Sequence, residues 1–279
     1  LPVRCFVRHG SDTCSLPHDV EIRCGDVTST ADVSAAMENV SAVISSFATN
    51  IAKDPRVSTL WANDYEGNRT LIECARSAGV GKFIFTSYWG LAKAGGFEHG
   101  KIKKIIEDML RVSAMDYTVF RITTLATDMS MLTGTSLQKR GWTFMLMKKN
   151  EKIRPILVED LSCCIVDALD NSRASFKVIE VAGTEEYTLI ELRDLFRTAL
   201  GRRVHFIFVP LPLASAIASC IDCFTGSAYN ARGLVSAFTG GSTCDITEMN
   251  RIFTPAQGSF AQYLKSFFFT FAAVGHEPD

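Results

Sequence analysis

The sequence predicts an α/β fold, a doubly wound parallel sheet with a smaller mixed C-terminal lobe. Two observations predict it. In the first half, apolar runs of four to seven residues alternate with amphipathic stretches, which is the pattern of βαβ units. Those runs are almost continuously apolar, as strands are when helices cover both faces of a sheet.

Each element follows from its local pattern. Val3–Val7 reads as a strand ended by Arg8, His9 and Gly10, and Val20–Cys24 as a second ended by Gly25 and Asp26. Thr30–Glu38 is a short helix with Ser29 or Thr30 as its cap. Val40–Ser46 is a third strand, Leu60–Ala78 a long helix stopped by Gly79, and Lys82–Thr86 a fourth strand. Over Lys101–Ser113, Ile102, Ile105, Ile106, Met109 and Leu110 form one apolar helix face, with Lys101, Lys104, Asp108 and Arg111 turned away. Tyr117–Arg121 is a fifth strand. Beyond it, Ile153–Val158, Phe176–Val181 and Val204–Val209 read as strands, and Glu159–Asp170 as a helix. Thr188–Leu200 is a helix with a capping-box spacing, Thr188 to Glu191, and Gly201 ends it.

The chain has 279 residues, enough for one large domain or a domain with an appended lobe; we place the division at residues 1–125 and 126–279. With 29 basic and 30 acidic residues the net charge is -1, which leaves no broad basic field for nucleic acid. Nine unevenly spaced cysteines read as reduced thiols, placing the chain inside the cell, with chloroplast or mitochondrion left open. No metal site is expected. The pair Cys220 and Cys223 lacks two further ligands and reads as buried helix thiols, and Cys163-Cys164 as core. No run reaches the roughly 18 apolar residues of a membrane span. Leu211–Phe224 comes nearest and is expected to pack internally, with partner docking as the alternative. The Phe267–Phe271 run reads as a packing anchor. No role is assigned to His18, His205 or His276.

Several stretches carry a family resemblance. VEIRCGDVTSTADVSAAMENVSAVI, DYEGNRTLIECARSAGVGKFIFTS, HGKIKKIIEDMLRVSAMDYTVFR, RPILVEDLSCCIVDAL and VAGTEEYTLIELRDLFRTALGRRVHFIFVP follow one another in family order and spacing across most of residues 3–212. They resemble the NmrA-like, atypical members of the short-chain dehydrogenase/reductase superfamily. The resemblance implies a Rossmann-type fold and a nicotinamide dinucleotide as ligand. The superfamily also holds photosystem assembly factors and an accessory subunit of respiratory complex I. The family opens with a strand and G-x-x-G-x-x-G, whose backbone approaches the pyrophosphate. This chain opens at what resembles the second strand, and the motif is absent from it; Gly95-Gly96 and Gly240-Gly241 fall elsewhere. Either about thirty residues of a βαβ unit precede it, or dinucleotide binding has been abandoned. Truncation is the favoured reading.

Ligands of such sheets lie at the carboxyl ends of the strands. The resemblance places Arg8 and His9 at the 2′-phosphate of NADP(H), which favours that cofactor while NAD(H) stays open. It places Asp26 and Val27 beside adenine, and Phe47 and Ala48, with Thr49, along the ribose and nicotinamide. Ser87 stands where the superfamily has its active-site Ser or Thr, followed by Tyr88, and the resemblance places both against the cofactor as well. Classical members use Tyr-x-x-x-Lys, in which Lys lowers the tyrosine pKa and holds ribose. Here Phe97/Lys101 and His99/Lys103 are the two registers, and the second is preferred because Glu107 then falls four residues after the lysine. Neither register has a tyrosine. Asp128 stands where relatives carry Asn.

Three functions follow as expectations. The first is an NAD(P)(H)-binding redox sensor, scaffold or assembly factor with little dehydrogenase activity. The second is a reductase of a small carbonyl or isoprenoid-like substrate, using Lys103 and Ser87 with His99 or water as proton donor. The third is a cofactor-free structural subunit that docks through Leu211–Phe224 or the C-terminal tail.

Overall fold

The alternation of the first half resolves into β1 (Arg4–Val7), β2 (Glu21–Cys24), α1 (Thr30–Ala36), β3 (Ala42–Ser45), α2 (Val57–Thr59), α3 (Glu66–Ser77), β4 (Lys82–Tyr88), α4 (Glu98–Val112) and β5 (Asp116–Ile122). The computed structural model describes residues 1–50, 54, 56–91, 97–146, 148–226, 231–237, 242–255 and 258–274. Gly95, Gly96, Gly240, Gly241 and His276 lie outside the described residues. The second half adds β6 (Thr124–Leu125), α5 (Ala126–Met129), α6 (Thr135–Arg140), β7 (Trp142–Met145), β8 (Lys152–Ile153), β9 (Pro155–Ile156), α7 (Val158–Ala168), β10 (Lys177–Val181), β11 (Tyr187–Thr188) and α8 (Leu189–Leu200). It continues with β12 (His205–Phe208), α9 (Leu211–Thr225), α10 (Ala231–Ala237), α11 (Thr247–Ile252) and α12 (Phe260–Val274).

The central sheet runs β10-β5-β4-β3, with every pair parallel. The predicted parallel α/β sheet is present, with helices on both faces. Period-two alternation divides its side chains. Phe83, Phe85, Tyr117 and Val119 pack with Val33 of α1, Leu71 of α3 and Ile102, Ile106 and Leu110 of α4. Ile84, Phe120, Ile122, Ile179 and Val181 pack on the opposite face with Leu161 and Cys164 of α7 and Met249 and Ile252 of α11. β1 and β2 form a separate parallel ladder, Arg4 opposite Glu21.

The C-terminal lobe is mixed: β8 and β11 are antiparallel, β7 and β12 parallel. Its core gathers Leu137, Leu192, Phe196, Phe206, Phe260, Leu264 and Phe268. The Thr188–Glu191 capping box forms in both directions, and Gly201 closes α8 at φ +63°. Within the phenylalanine run, Phe268 is buried, Phe267 packs against this core and Phe269 is exposed. The side chain of Phe271 lies outside the described residues.

Four sequence expectations need correction. The helix expected over Leu60–Ala78 begins as a π-helical turn, Leu60–Tyr65, before α3. β2 is exposed throughout, because its Glu-Ile-Arg-Cys composition suits an edge rather than a buried strand. α9 does not bury its apolar bulk. It buries only Ala214, Ala218 and Asp222, and leaves Leu213, Ile217, Ile221 and Phe224 exposed. The small alanines share one face at four-residue spacing, and Asp222 accepts from the backbone N–H groups of Ala231 and Arg232 at the start of α10. Cys220 and Cys223 are therefore helix-borne but exposed, and of the adjacent pair only Cys164 is buried. Among the described residues, no helix is long and apolar enough to cross a membrane.

Candidate functional site

The residues that follow β1, β2 and β3 supply one border of the site. Arg8 and His9 are exposed in a turn closed by Ser11 N–H to the Arg8 carbonyl, 3.1 Å. After β2, Asp26 accepts from the N–H and hydroxyl of Thr28, both at 2.8 Å. Those bonds hold its carboxyl below the usual range. The helix cap itself is Ser29, which accepts from Asp32 N–H. Val27 and Phe47 are half-buried and meet over Gly67 of α3. A Cβ on Gly67 would stand 2.7 Å from Val27 Cγ1 and 3.1 Å from Phe47, so glycine lets the helix come this close. Ala48 is exposed.

The other border is built where α4 crosses the end of β4. Its i, i+4 spacing puts His99, Lys103 and Glu107 on one helix face, and all three are buried. Lys103 Nζ donates to the Thr86 carbonyl at 3.0 Å and lies 4.5 Å above the Phe85 ring and 5.8 Å from the Tyr88 ring. Burial pushes its pKa down from 10.5 to about 8, against the pull of Asp64 and Glu107. Among the described residues, the Thr86 carbonyl takes one of the three ammonium protons.

Glu107 is completely buried. It accepts two bonds from Arg121 of β5, at 3.0 and 2.7 Å, and one from the Ser87 hydroxyl at 2.8 Å. Ser87 is itself buried, and its hydroxyl serves the carboxylate.

His99 sits between two partners. Its Nε2 lies 3.0 Å from Asp64 Oδ2, off the line of an ideal N–H bond, and its Nδ1 lies 3.3 Å from the Tyr88 hydroxyl. The Tyr88 and His99 rings meet edge to face, centroids 5.0 Å apart. Asp64 also accepts from the N–H and hydroxyl of Thr49, both at 2.8 Å. Burial raises the Asp64 carboxyl, but the adjacent His99 ring and the bonds from Thr49 outweigh it and leave the pKa lowered. Burial also pushes the Tyr88 phenol up, reinforced by Asp64 and Asp128.

The structure thus brings Ser87, Tyr88, His99 and Lys103 together at the end of β4, and Val27 and Phe47 together over α3. Sequence reasoning missed Asp64 and the part played by Arg121. The signal for Asp64 lay in the Asp-x-x-Gly-Asn stretch at 64–68. There Asn68 donates to the Asp64 carbonyl at 2.7 Å and accepts from the Ser45 hydroxyl at 2.6 Å, which fixes the helix start against β3. The donor set fits the two ends of a dinucleotide: an apolar slot with an exposed carboxylate, and a buried ammonium beside a phenol.

A family model described as NAD(P)H-binding matches residues 1–171. The photosystem II assembly factor Ycf39 of Trieres chinensis is 30% identical over 121 residues, 43% of this chain and 37% of that protein. The mitochondrial NADH dehydrogenase [ubiquinone] 1 alpha subcomplex subunit 9 of Arabidopsis thaliana is 22% identical over 165 residues, 58% of this chain and 41% of that one. The chain thus spans well under half the length of these relatives. An NADPH-dependent quinone oxidoreductase of Escherichia coli, solved with NADPH, superposes with a TM-score of 0.69 at 18% identity, over 90% of this chain and 84% of that one. At that identity the likeness is one of fold.

Proposed function

The chain belongs to the NAD(P)H-binding family, as an NmrA-like, atypical short-chain dehydrogenase/reductase, and from that premise we propose that it is a dinucleotide-responsive sensor or assembly factor in which hydride transfer is slow. One observation carries this reading. One turn before Lys103, where classical members place the proton-donating tyrosine, stands His99, buried between Asp64 and Tyr88. A positioned acid contributes about 10²–10⁴-fold to such reactions.

In this reading residues 1–125 form the cofactor domain and 126–279 the lobe. Lys103 holds the nicotinamide ribose with its unspent ammonium protons. Val27, Phe47 and Ala48 flank the bases, and Asp26 offers its free carboxylate oxygen to the adenine amino group. The exposed apolar face of α9 would receive a protein partner, as suits a chain related to assembly factors. Fluorescence titration of NADPH into the full-length protein tests the reading. Binding is expected, with Lys103→Ala weakening it at least tenfold. Absence of binding, or rapid oxidation of bound NADPH by simple carbonyls, would overturn it.

The exposed Arg8 and His9 support NADP(H) over NAD(H), since charge-assisted bonds to the extra phosphate contribute about 1.5–3 kcal/mol. NADPH is therefore expected to bind more tightly than NADH, and Arg8→Ala to erase most of the preference. Equal affinities in the unaltered protein would contradict this assignment.

A further inference from the structure

α9 carries two thiols that the cofactor site does not use. Cys220 and Cys223 stand three positions apart in the last turns of this helix, and both are exposed. Positions three apart are neighbours on a helix surface, with Cβ atoms about 5–6 Å from each other. A disulfide needs about 3.5–4.5 Å between the same atoms. The helix therefore holds the two sulfurs side by side, yet too far apart to bond directly unless it distorts. An ion placed between them closes the gap, because each metal–thiolate bond adds about 2.3 Å.

The surroundings decide which ion. The oxygen-bearing side chains within two positions of either cysteine are already engaged. The Asp222 carboxylate is buried and accepts from the backbone N–H groups of Ala231 and Arg232, at 2.7 and 3.0 Å. Ser219 and Thr225 donate to the carbonyls of Ser215 and Ile221 in their own helix. The exposed neighbours are apolar: Ile217 precedes Cys220 by three positions, and Phe224 follows it by four. Among the described residues, no group of three or more His, Cys, Asp or Glu could hold a metal ion. Zinc, which takes four ligands in a structural site, is not served. Calcium and magnesium, which take oxygen ligands, find no free carboxylate along this stretch. Soft thiolates select copper(I), and that monovalent d10 ion is satisfied by two of them in a line.

We propose that Cys220 and Cys223 form a two-sulfur site for copper(I) on the outer face of α9. Binding exchanges two S–H bonds for two S–Cu bonds, and both protons go to solvent. The copper stays monovalent, so no oxidant or reductant takes part. Exposure leaves the bound ion open to ligand exchange with an incoming thiolate. The site needs neither Lys103 nor a bound dinucleotide and goes beyond the cofactor reading.

Competition for Cu(I) between the reduced full-length protein and bicinchoninate, without oxygen, tests this. One Cu(I) per chain is expected to pass from the coloured bicinchoninate complex to the protein. Cys220→Ser/Cys223→Ser should lose that equivalent. Cys14→Ser/Cys24→Ser/Cys163→Ser, which removes the other thiols exposed among the described residues, should keep it. X-ray absorption at the copper edge of the unaltered protein, which does not depend on any variant folding, should find two sulfur neighbours. An excess of Zn²⁺ should leave the Cu(I) in place. Undiminished uptake by the Cys220/Cys223 variant would overturn the site. So would loss of uptake in the other variant, three or more sulfur neighbours, or displacement by Zn²⁺. None of these measurements involves NADPH, so the copper site and the cofactor reading stand or fall separately.

Discussion

Replacing Arg121 with alanine is expected to destabilise the protein by about 3–5 kcal/mol, the usual result of stranding one member of a buried ion pair. Glu107 has no exposed surface, and Arg121 meets it with two parallel bonds at 3.0 and 2.7 Å. Without the guanidinium, Glu107 keeps the Ser87 hydroxyl and the more distant charge of Lys103. Arg111 does not replace it, because its Nη2 stands 3.9 Å away on an exposed side chain. The double change Arg121→Leu/Glu107→Leu should recover most of the loss, since an apolar pair of similar volume leaves no charge to desolvate. Urea unfolding with a constant m-value would give both numbers. A loss below about 1 kcal/mol in Arg121→Ala would place this pair among ordinary surface bridges. The pair also bears on the site, because Glu107 lies one helical turn after Lys103 and anchors α4 to β4 and β5 at the same time.

The contrast between what could and could not be read from the sequence follows the range of the interactions. The capping box of α8 was legible because Thr188 and Glu191 are three residues apart and complete each other locally. The buried face of α4 was legible because Ile102, Ile106 and Leu110 repeat at helical spacing. Lys103 could be placed on that face by counting. The fate of α9 could not. Its composition is apolar on every side, so the pattern does not say which side is covered, and the small residues Ala214 and Ala218 proved to be the contact. Asp64 escaped for a different reason. Its partners Thr49 and His99 lie 15 and 35 positions away, and the π-helical turn that aims it inward has no periodic signature. Tyr88 was visible as the nearest phenol, but only the fold shows that its hydroxyl faces His99.

Lys103→Met is expected to raise stability at neutral pH while removing cofactor affinity. The ammonium is nearly without exposure, and its pKa falls from 10.5 to about 8 because burial penalises the charge more than Asp64 and Glu107 reward it. That depression corresponds to on the order of 3 kcal/mol of folding free energy withheld while the lysine is charged. Between about pH 8 and 10.5 the unfolded chain holds a proton that the folded chain has released, so stability should rise with pH across that window. Below pH 8 both states are protonated and the full penalty stands. Methionine keeps the unbranched apolar stem against Phe85 and has no charge to desolvate. The variant should therefore be the more stable at pH 7, by less than the full penalty because Asp64 and Glu107 lose a neighbouring cation. Its advantage should shrink as pH approaches 10.5. Chemical unfolding of both proteins at pH 7 and pH 9.5 measures this. If Lys103→Met were the less stable at pH 7, the attraction of Asp64 and Glu107 would outweigh burial, and Lys103 would be a structural ion. If it were the more stable and no longer bound NADPH, a costly buried cation would be kept for its ligand, as expected of a charge held ready at a binding site.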